Sequence, residues 1–402
     1  MARVLFISYD GMAEPLGQSQ VISYLEKLAD ENQIHVISFE KPIDINDPAR
    51  MQVPKKRFAA KGIEWTPMRY HSRPSALATA WDVFRGQLVA LWISWRMNAD
   101  IIHVRSYVPA LIALPAKSIF RSKLVFDIRG FWADERVDGG IWPRDSKIFR
   151  ITKWLERIFF NSADYLVTLT QASVPVIKNF SFWKKKVPPI AVIPTCADLK
   201  NFSPSPIKLK SEPFIFGYVG SFGTWYLLDE TMALFKAISV LKPDAKMLVV
   251  NRTEHKAILE SAHLAGVPLA SIELCAAAHS EVPKLIRRMH FASALIRPCY
   301  SKVSSAPTKL AEYLGCGVPC VGNAGVGDIV AILEGRGTGL VLRAFDETAL
   351  TKAARLIVSM AFEPSLAQRC RGVAEELFSL DIGISAYQRI YSDLTTESVV
   401  HK

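Results

Sequence analysis

The chain has 402 residues, half of them hydrophobic and 22% charged, a balance that supports packed cores and excludes a disordered or low-complexity protein. That length exceeds what one hydrophobic core serves, so two domains of roughly 180 to 200 residues each are expected. A net charge of +11 points to an anionic partner, and without zinc-finger spacing or an RNA-binding aromatic motif a nucleotide, an acidic polysaccharide or an anionic membrane surface is favoured over nucleic acid.

Residues 3–8 (RVLFIS) form a continuous apolar run of β-forming residues and read as a buried parallel strand. The opening MARVLFISYDGM places Asp10 after only a short apolar run and lacks a small-residue cleavage site, so strand and turn are expected there, not a signal peptide. A loop over 9–18 holds Gly11 and Gly17, with Asp10 and Gln18 as its polar groups, available either to a ligand or to turn and capping chemistry. Val21, Ile22, Leu25 and Leu28 then recur at helical spacing before a strand at 34–39, the opening of a doubly wound α/β domain.

Strands at 101–104, 123–127 and 165–169, separated by helical stretches including 147–160, continue this as one Rossmann-like domain. The longest apolar stretches, such as 88–95, stop well short of the ~20 residues that a spanning helix needs, so no membrane anchor is expected. A polar, proline-bearing connection near 193–206 reads as a linker.

A second cycle follows: strand 213–220, helix 228–241, strand 246–250, helix 254–265, strand 271–274, helix 281–289 and strand 292–296. Helix 309–314, strand 319–323 and helix 328–333 close it, giving two tandem Rossmann-like domains with the cleft between them as the expected ligand site. All six cysteines lie in the C-terminal half without paired zinc-type spacing, so reduced buried thiols, a cytoplasmic compartment and no metal site are expected.

The segment 304–328 (SSAPTKLAEYLGCGVPCVGNAGVGD) concentrates the chemistry. Its small-residue loop, Ser304 and Ser305 to Thr308, opens a helix whose free N–H groups and positive dipole end suit phosphate; Thr308 adds a hydroxyl and Lys309 a cation. Glu312 lies one turn on from Thr308, on the same face, where a carboxylate accepts hydrogen bonds from ribose hydroxyls. Gly317 ends the helix, and the glycines of GNAGVGD let backbone approach a ligand. Each piece also has a bland reading, as cap, solvated charge or turn.

This stretch resembles the donor-binding signature of family-4-type retaining GT-B glycosyltransferases (glycosyl transferases group 1, glycosyltransferase 4-like), in the branch with a Pro-Thr-Lys-x-x-Glu-Tyr pattern. Gly17-Gln18-Ser19-Gln20, IIHVRSYVPALIA at 101–113, DIRGFWADE at 127–135 and GSFGTWYLLDE at 220–230 resemble the same family. The resemblance implies a GT-B fold: an acceptor-side domain over 1–195, a nucleotide-sugar donor domain over 196–380, and a C-terminal helix and tail over 381–402 returning to the first domain. It implies transfer of a sugar, with retention, from a nucleotide diphosphate donor to a glycan or lipid-linked acceptor, as in cell-surface polysaccharide synthesis.

By the same resemblance Glu312 matches the second glutamate of the paired-glutamate motif and holds the donor ribose, while Ser304 stands where the first glutamate belongs. Ser304, Ser305 or loop amides then take over the sugar contact. The cations that usually grip the diphosphate are missing from GSFGTWYLLDE, which contributes Gly220 and Gly223, so Arg252 and Lys309 are the candidates. Where many relatives have a histidine, this chain has Asp127, then Arg129 and Gly130. Asp127 orients the acceptor, acts as base or pairs with Arg129, and His103 is a further strand-end candidate. No Asp-x-Asp motif occurs, so a reaction without metal or cofactor is expected.

Two other functions fit the same features: a GT-B-type sugar-nucleotide epimerase, and a non-catalytic GT-B partner of a membrane glycan assembly, suggested by the missing glutamate. Two aromatic stretches bear on location. Phe180, Phe182 and Trp183 precede Lys184, Lys185 and Lys186, as either a lipid-facing loop or core aromatics beside a solvated lysine run. Trp81, Phe84, Leu88, Leu91, Trp92 and Trp95 recur at helical spacing and are expected in the core. Peripheral attachment to the inner face of a membrane is the resulting expectation.

Overall fold

The computed structural model describes residues 1–73, 75–205 and 213–400. The chain forms two units, Met1–Pro194 together with Leu380–Lys402, and Thr195–Ser379. Pro206 of the inferred linker, and His401 and Lys402 of the inferred tail, lie outside the described residues.

In the first unit, β1 (Arg3–Ser8), β2 (Gln33–Glu40), β3 (Glu64–Arg69), β4 (Ile101–Arg105), β5 (Lys123–Asp127), β6 (Tyr165–Thr168) and β7 (Ile190–Val192) form a parallel sheet in the order β3-β2-β1-β4-β5-β6-β7. The second unit has β8 (Ile215–Val219), β9 (Lys246–Val250), β10 (Ile272–Cys275), β11 (Phe291–Ser293), β12 (Cys320–Asn323) and β13 (Gly339–Leu342), ordered β10-β9-β8-β11-β12-β13 and also parallel. In each sheet the strand order reverses once, between β1 and β4 and between β8 and β11. A doubly wound sheet opens a crevice at the carboxyl ends of its strands at such a point.

Parallel strands are covered on both faces, which is why β1, β4, β5 and β8 are buried almost throughout. Leu5, Ile7, Ile102, Val104, Leu124 and Phe126 build the core on one face of the first sheet, against helices Ser75–Met97, Tyr107–Phe120 and Lys147–Ser162. The register aligns Phe6 with His103 and Val125, and Ser8 with Arg105 and Asp127, on the other face. Helices Ser23–Leu28 and Leu380–Val400 meet over that face, the latter bringing Tyr387 and Tyr391 to it. No helix of the described residues is long and apolar enough to cross a membrane.

Three strands lack an apolar run long enough to announce them. β3 carries Pro67 and leaves Glu64 and Arg69 exposed, as suits a sheet edge; β7 has only three residues and no buried one; β13 is four residues long and begins with glycine. Helix Thr308–Gly315 starts at Thr308, with Pro307 and not Thr308 in the cap position.

One aromatic stretch takes the core alternative left open for it, and the other lies outside its expected place in the core. Phe180, Phe182 and Trp183 pack against the first unit's core, and the Trp183 Nε1–H donates to the Ile177 carbonyl at 2.9 Å. The Lys184 N–H donates to the Asn161 side chain at 2.9 Å, pinning the loop, while Lys184 to Lys186 stay exposed. Trp81, Phe84, Leu88, Trp92 and Trp95 are exposed instead, because Val83, Ala90 and Ile93 supply their helix's inward side. A helix apolar on both sides cannot show by period alone which side faces the core.

One glycine tests the tightness of the second sheet. A Cβ at Gly339 would fall on the backbone carbonyl of Cys320, its register partner on β12. Gly339→Ala is therefore expected to lower stability by about 1–3 kcal/mol through backbone displacement, read as an earlier urea transition of the second unit.

Candidate functional sites

At the carboxyl ends of β1, β4 and β5 the first unit buries a cluster of polar side chains. His103, Arg105 and Asp127 are each 5% exposed or less. Arg105 places Nη1 3.8 Å from Asp127 Oδ2 and Nε 3.5 Å from the half-exposed Asp10 carboxylate, and Arg129 places Nη1 3.9 Å from the same Asp127 oxygen. Tyr387 donates its hydroxyl to Asp127 Oδ2 at 3.1 Å, and His103 Nδ1 lies 2.7 Å from the Tyr391 hydroxyl. His103 Nε2, Arg105 Nε and Asp127 Oδ1 are buried without a hydrogen-bond partner among the described residues. Unsatisfied buried polar atoms are costly, and several at one place suggest a ligand's position.

Two guanidiniums meet one buried carboxylate, Asp127, and one half-exposed carboxylate, Asp10. Burial, then the neighbouring Arg129 charge, lowers the Arg105 pKa, whereas for Arg129 the burial penalty is outweighed by Asp127, Tyr387, Tyr24 and Asp10 together and its pKa rises. Burial pushes His103 down to about 4, which keeps its ring neutral near pH 7. Backbone strain marks the same strand ends: Ser106, after β4, has φ 74°, and Arg129, after β5, has φ 58°. The Ser106 N–H donates to the Asp127 carbonyl at 2.7 Å, tying the two strained turns together.

In the second unit the ends of β8 and β11 and helix Thr308–Gly315 frame another site. Lys309 is buried, with no hydrogen-bond partner for Nζ among the described residues. Its ammonium lies 3.8 Å from the ring centroid of Tyr218 and 3.4 Å from that of Tyr226, directly beneath Gly220, whose φ of 104° requires glycine. Burial lowers the Lys309 pKa well below its ordinary value. Glu312, one turn on, is nearly buried, and desolvation, opposed by the Lys309 charge, raises its pKa to about 7. The first turn of this helix has no side-chain cap, so its dipole end is open to an anion.

The other expected donor residues are placed differently. Ser304 is buried and donates its hydroxyl to the Ser301 carbonyl at 3.0 Å; the Ser305 N–H donates to the Lys302 carbonyl at 3.1 Å. Thr308 is half-buried at the helix start. Arg252 is exposed and donates from Nε and Nη2 to the Ala277 carbonyl, both at 3.3 Å. Gly223, with φ 48°, donates its N–H to Glu254 Oε1 at 2.8 Å, and Phe222 donates to Oε2 at 2.9 Å. Gly17 belongs to the first unit, where a Cβ would strike the Gly11 carbonyl, so its role there is close backbone contact.

The structure thus gathers His103, Asp127 and Arg129 in one unit, and Gly220, Lys309 and Glu312 in the other. Sequence reasoning missed Arg105, Glu254, Tyr387 and Tyr391. Arg105 was within reach of strand alternation, two residues beyond His103 on the same face. Glu254 holds two amides of the glycine turn as an internal anion, and nothing local to its sequence marks it. Tyr387 and Tyr391 are four apart on a helix, but they meet Asp127 and His103 across 260 and 288 residues.

Residues 33–191 match the family described as glycosyl transferase 4-like domain. No curated protein sequence matches the chain. Among solved structures, sucrose-phosphate synthase from Thermosynechococcus elongatus is similar over 99% of this chain and 100% of its own, at 15% identity and a TM-score of 0.74. Anabaena HepE in complex with UDP is similar over 97% and 100%, at 14% identity and a TM-score of 0.69. WaaG, a glycosyltransferase involved in lipopolysaccharide biosynthesis, is similar over 96% and 99%, at 16% identity and a TM-score of 0.64. Two parallel-sheet Rossmann-like units shared over nearly the full length of such proteins give the chain a GT-B fold. Within that fold, residues 33–191 carry the likeness to the glycosyl transferase 4-like domain.

Glu312 gives a pH test of the second site. Its folded pKa of about 7 lies above the ordinary 4.5, so its contribution is fully present below pH 4.5 and is lost as pH rises through 7. Wild type is expected to lose about 2 kcal/mol relative to Glu312→Gln between pH 5 and pH 8, measured by urea denaturation of both at each pH.

Proposed function

We propose that the protein transfers a sugar with retention from a nucleotide diphosphate donor to a glycan or lipid-linked acceptor, in cell-surface polysaccharide synthesis. The observation that carries the donor half is Lys309, a buried ammonium without a hydrogen-bond partner among the described residues, beside Glu312 and an uncapped helix start. A diphosphate at that point supplies charge-assisted hydrogen bonds to Lys309 and meets the positive end of the helix. Glu312 accepts from the ribose hydroxyls, and Arg252 is a second cation for the leaving group. Because Glu254 already holds the Phe222 and Gly223 amides, the phosphate contact falls to Lys309 and the helix start.

HepE has been solved with UDP and with UDP-glucose, which supports a uridine diphosphate sugar as the first donor to test. In the first unit, Asp127 receives or orients the acceptor hydroxyl, with Arg129 and Arg105 holding its carboxylate in place. Neutral His103, anchored through Nδ1 to Tyr391, keeps Nε2 for the acceptor or sugar. Retention follows if the departing phosphate oxygen takes the acceptor proton on the face that it leaves. We write the reaction without a metal, the chain's own cations meeting the leaving group's charge, and place it at the cytoplasmic face of a membrane.

Lys309→Met is expected to weaken UDP or GDP binding at least about tenfold by calorimetry, with the thermal transition of the second unit kept. Unchanged affinity for both nucleotides would sink the donor site. Asp127→Asn should keep nucleotide affinity and slow transfer by about 10²-fold or more, with product analysis showing nucleotide diphosphate plus glycoside in wild type. Full turnover in that variant removes Asp127 from the chemistry.

A further inference from the structure

Helix Ser75–Met97 turns a stripe of large apolar side chains outward: Leu77, Trp81, Phe84, Leu88, Trp92 and Trp95 are all more than half exposed, with Trp95 at 66%. Helix Lys147–Ser162 repeats the pattern with Ile148, Ile151 and Trp154, the tryptophan being 59% exposed. Helix Tyr107–Phe120 joins them into one layer: the Gln87 side chain donates to the Leu111 carbonyl at 3.2 Å, and the Tyr107 hydroxyl donates to Glu156 at 2.7 Å. Exposed single apolar residues need no explanation, but tryptophans aligned along two helices of one layer do.

The charges on this layer are one-sided. The three helices contain two acidic residues, Asp82 and Glu156, and both are fully buried. Asp82 accepts from Tyr9 and from the His71 N–H, while Glu156 is held by Tyr107 and Lys153. Arg96, Lys147, Arg150 and Arg157 are exposed, and Arg85 is half-exposed. Arg96 stands 5.4 Å over the Trp92 ring and 3.3 Å from Glu64 on the neighbouring strand edge. The outward surface is therefore aromatic and basic with no exposed acid from its own helices.

We infer that this helix layer is the surface by which the protein docks on an anionic lipid bilayer, with the tryptophans at the headgroup boundary and the arginines and lysines on lipid phosphates. The inference rests on the proposed lipid-linked acceptor and names the face that reaches it, replacing the lysine loop at 184–186, whose aromatics are packed inward. A second copy of the chain fits less well, because a two-fold contact through this face would set its basic residues against themselves. An anionic membrane complements both features at once, its phosphates attracting the basic residues while its headgroup boundary takes the tryptophans.

The test is flotation of the full chain with vesicles of phosphatidylcholine, with and without phosphatidylglycerol, at low and high salt. Wild type is expected to bind the anionic vesicles, release in high salt and shift its tryptophan emission to the blue. Trp81→Ser/Trp92→Ser/Trp95→Ser should bind about tenfold more weakly or worse, and Arg150→Gln/Arg157→Gln should weaken binding with all tryptophans in place. Replacing Lys184, Lys185 and Lys186 with glutamine should leave it unchanged. Wild-type binding by both helix variants, or binding by none of the proteins, overturns the inference. So does self-association of wild type that the tryptophan variant abolishes, which would assign the face to a second copy. Nucleotide binding by the soluble chain is measured alongside: its loss in wild type would end the transferase reading, whereas vesicle results bear on the docking face alone.

Discussion

A parallel sheet must be covered on both faces, and the first unit meets that requirement with residues from both ends of its chain. One face takes the three helices that follow β3, β4 and β5. The other carries Phe6, Ser8, His103, Arg105, Val125 and Asp127 by register, and is covered in part by the chain's last helix. That cover decides the state of the charged residues beneath it. Tyr387 and Tyr391 offer hydroxyls, which satisfy one oxygen of Asp127 and one nitrogen of His103 without neutralising either arginine. A carboxylate from the same helix would have added a third acid to the cluster; hydroxyls add no charge and leave it incompletely bonded.

The second unit keeps a charge in reserve by other means. Lys309 is stabilised by two tyrosine ring faces, which attract an ammonium but cannot accept its hydrogens in the manner of an oxygen. Glu312 is close enough to feel that charge, yet the two form no ion pair among the described residues, so each is held in an environment that disfavours its ionised form. A ligand with phosphate and hydroxyl groups relieves both at once. Glu254 shows the opposite arrangement: at the glycine turn, hydrogen bonds outweigh its modest burial, and its pKa falls.

The strand cores and most of the second unit's helices were legible because doubly buried strands need unbroken apolar runs and helices need a 3.6-residue period. Helix Leu228–Leu241 and strands Lys123–Asp127 and Lys246–Val250 have the boundaries that pattern implies. The edge strands β3, β7 and β13 were not legible, since one partner suffices for them and their side chains are free to be polar or small. The segment around Lys309 and Glu312 could be read because its residues are local to one helix turn. The partners of Asp127 and His103 could not, because they are joined only by the fold. The orientation of helix Ser75–Met97 was ambiguous for a third reason: its sequence is apolar on two sides, and only packing decides which is inside.

The discontinuity of the first unit has a consequence during synthesis. Residues through Pro194 leave the ribosome first, but the helix that covers His103 and Asp127 belongs to the last segment of the chain, after the whole second unit. At about 5–20 residues per second, the charged face waits on the order of ten seconds or more for Tyr387 and Tyr391. During that interval the second unit, which is continuous in sequence, is free to fold as a complete body. The nascent chain therefore passes through a stage with one finished domain and one domain missing its cover, and it is then that the first sheet is open to wrong partners.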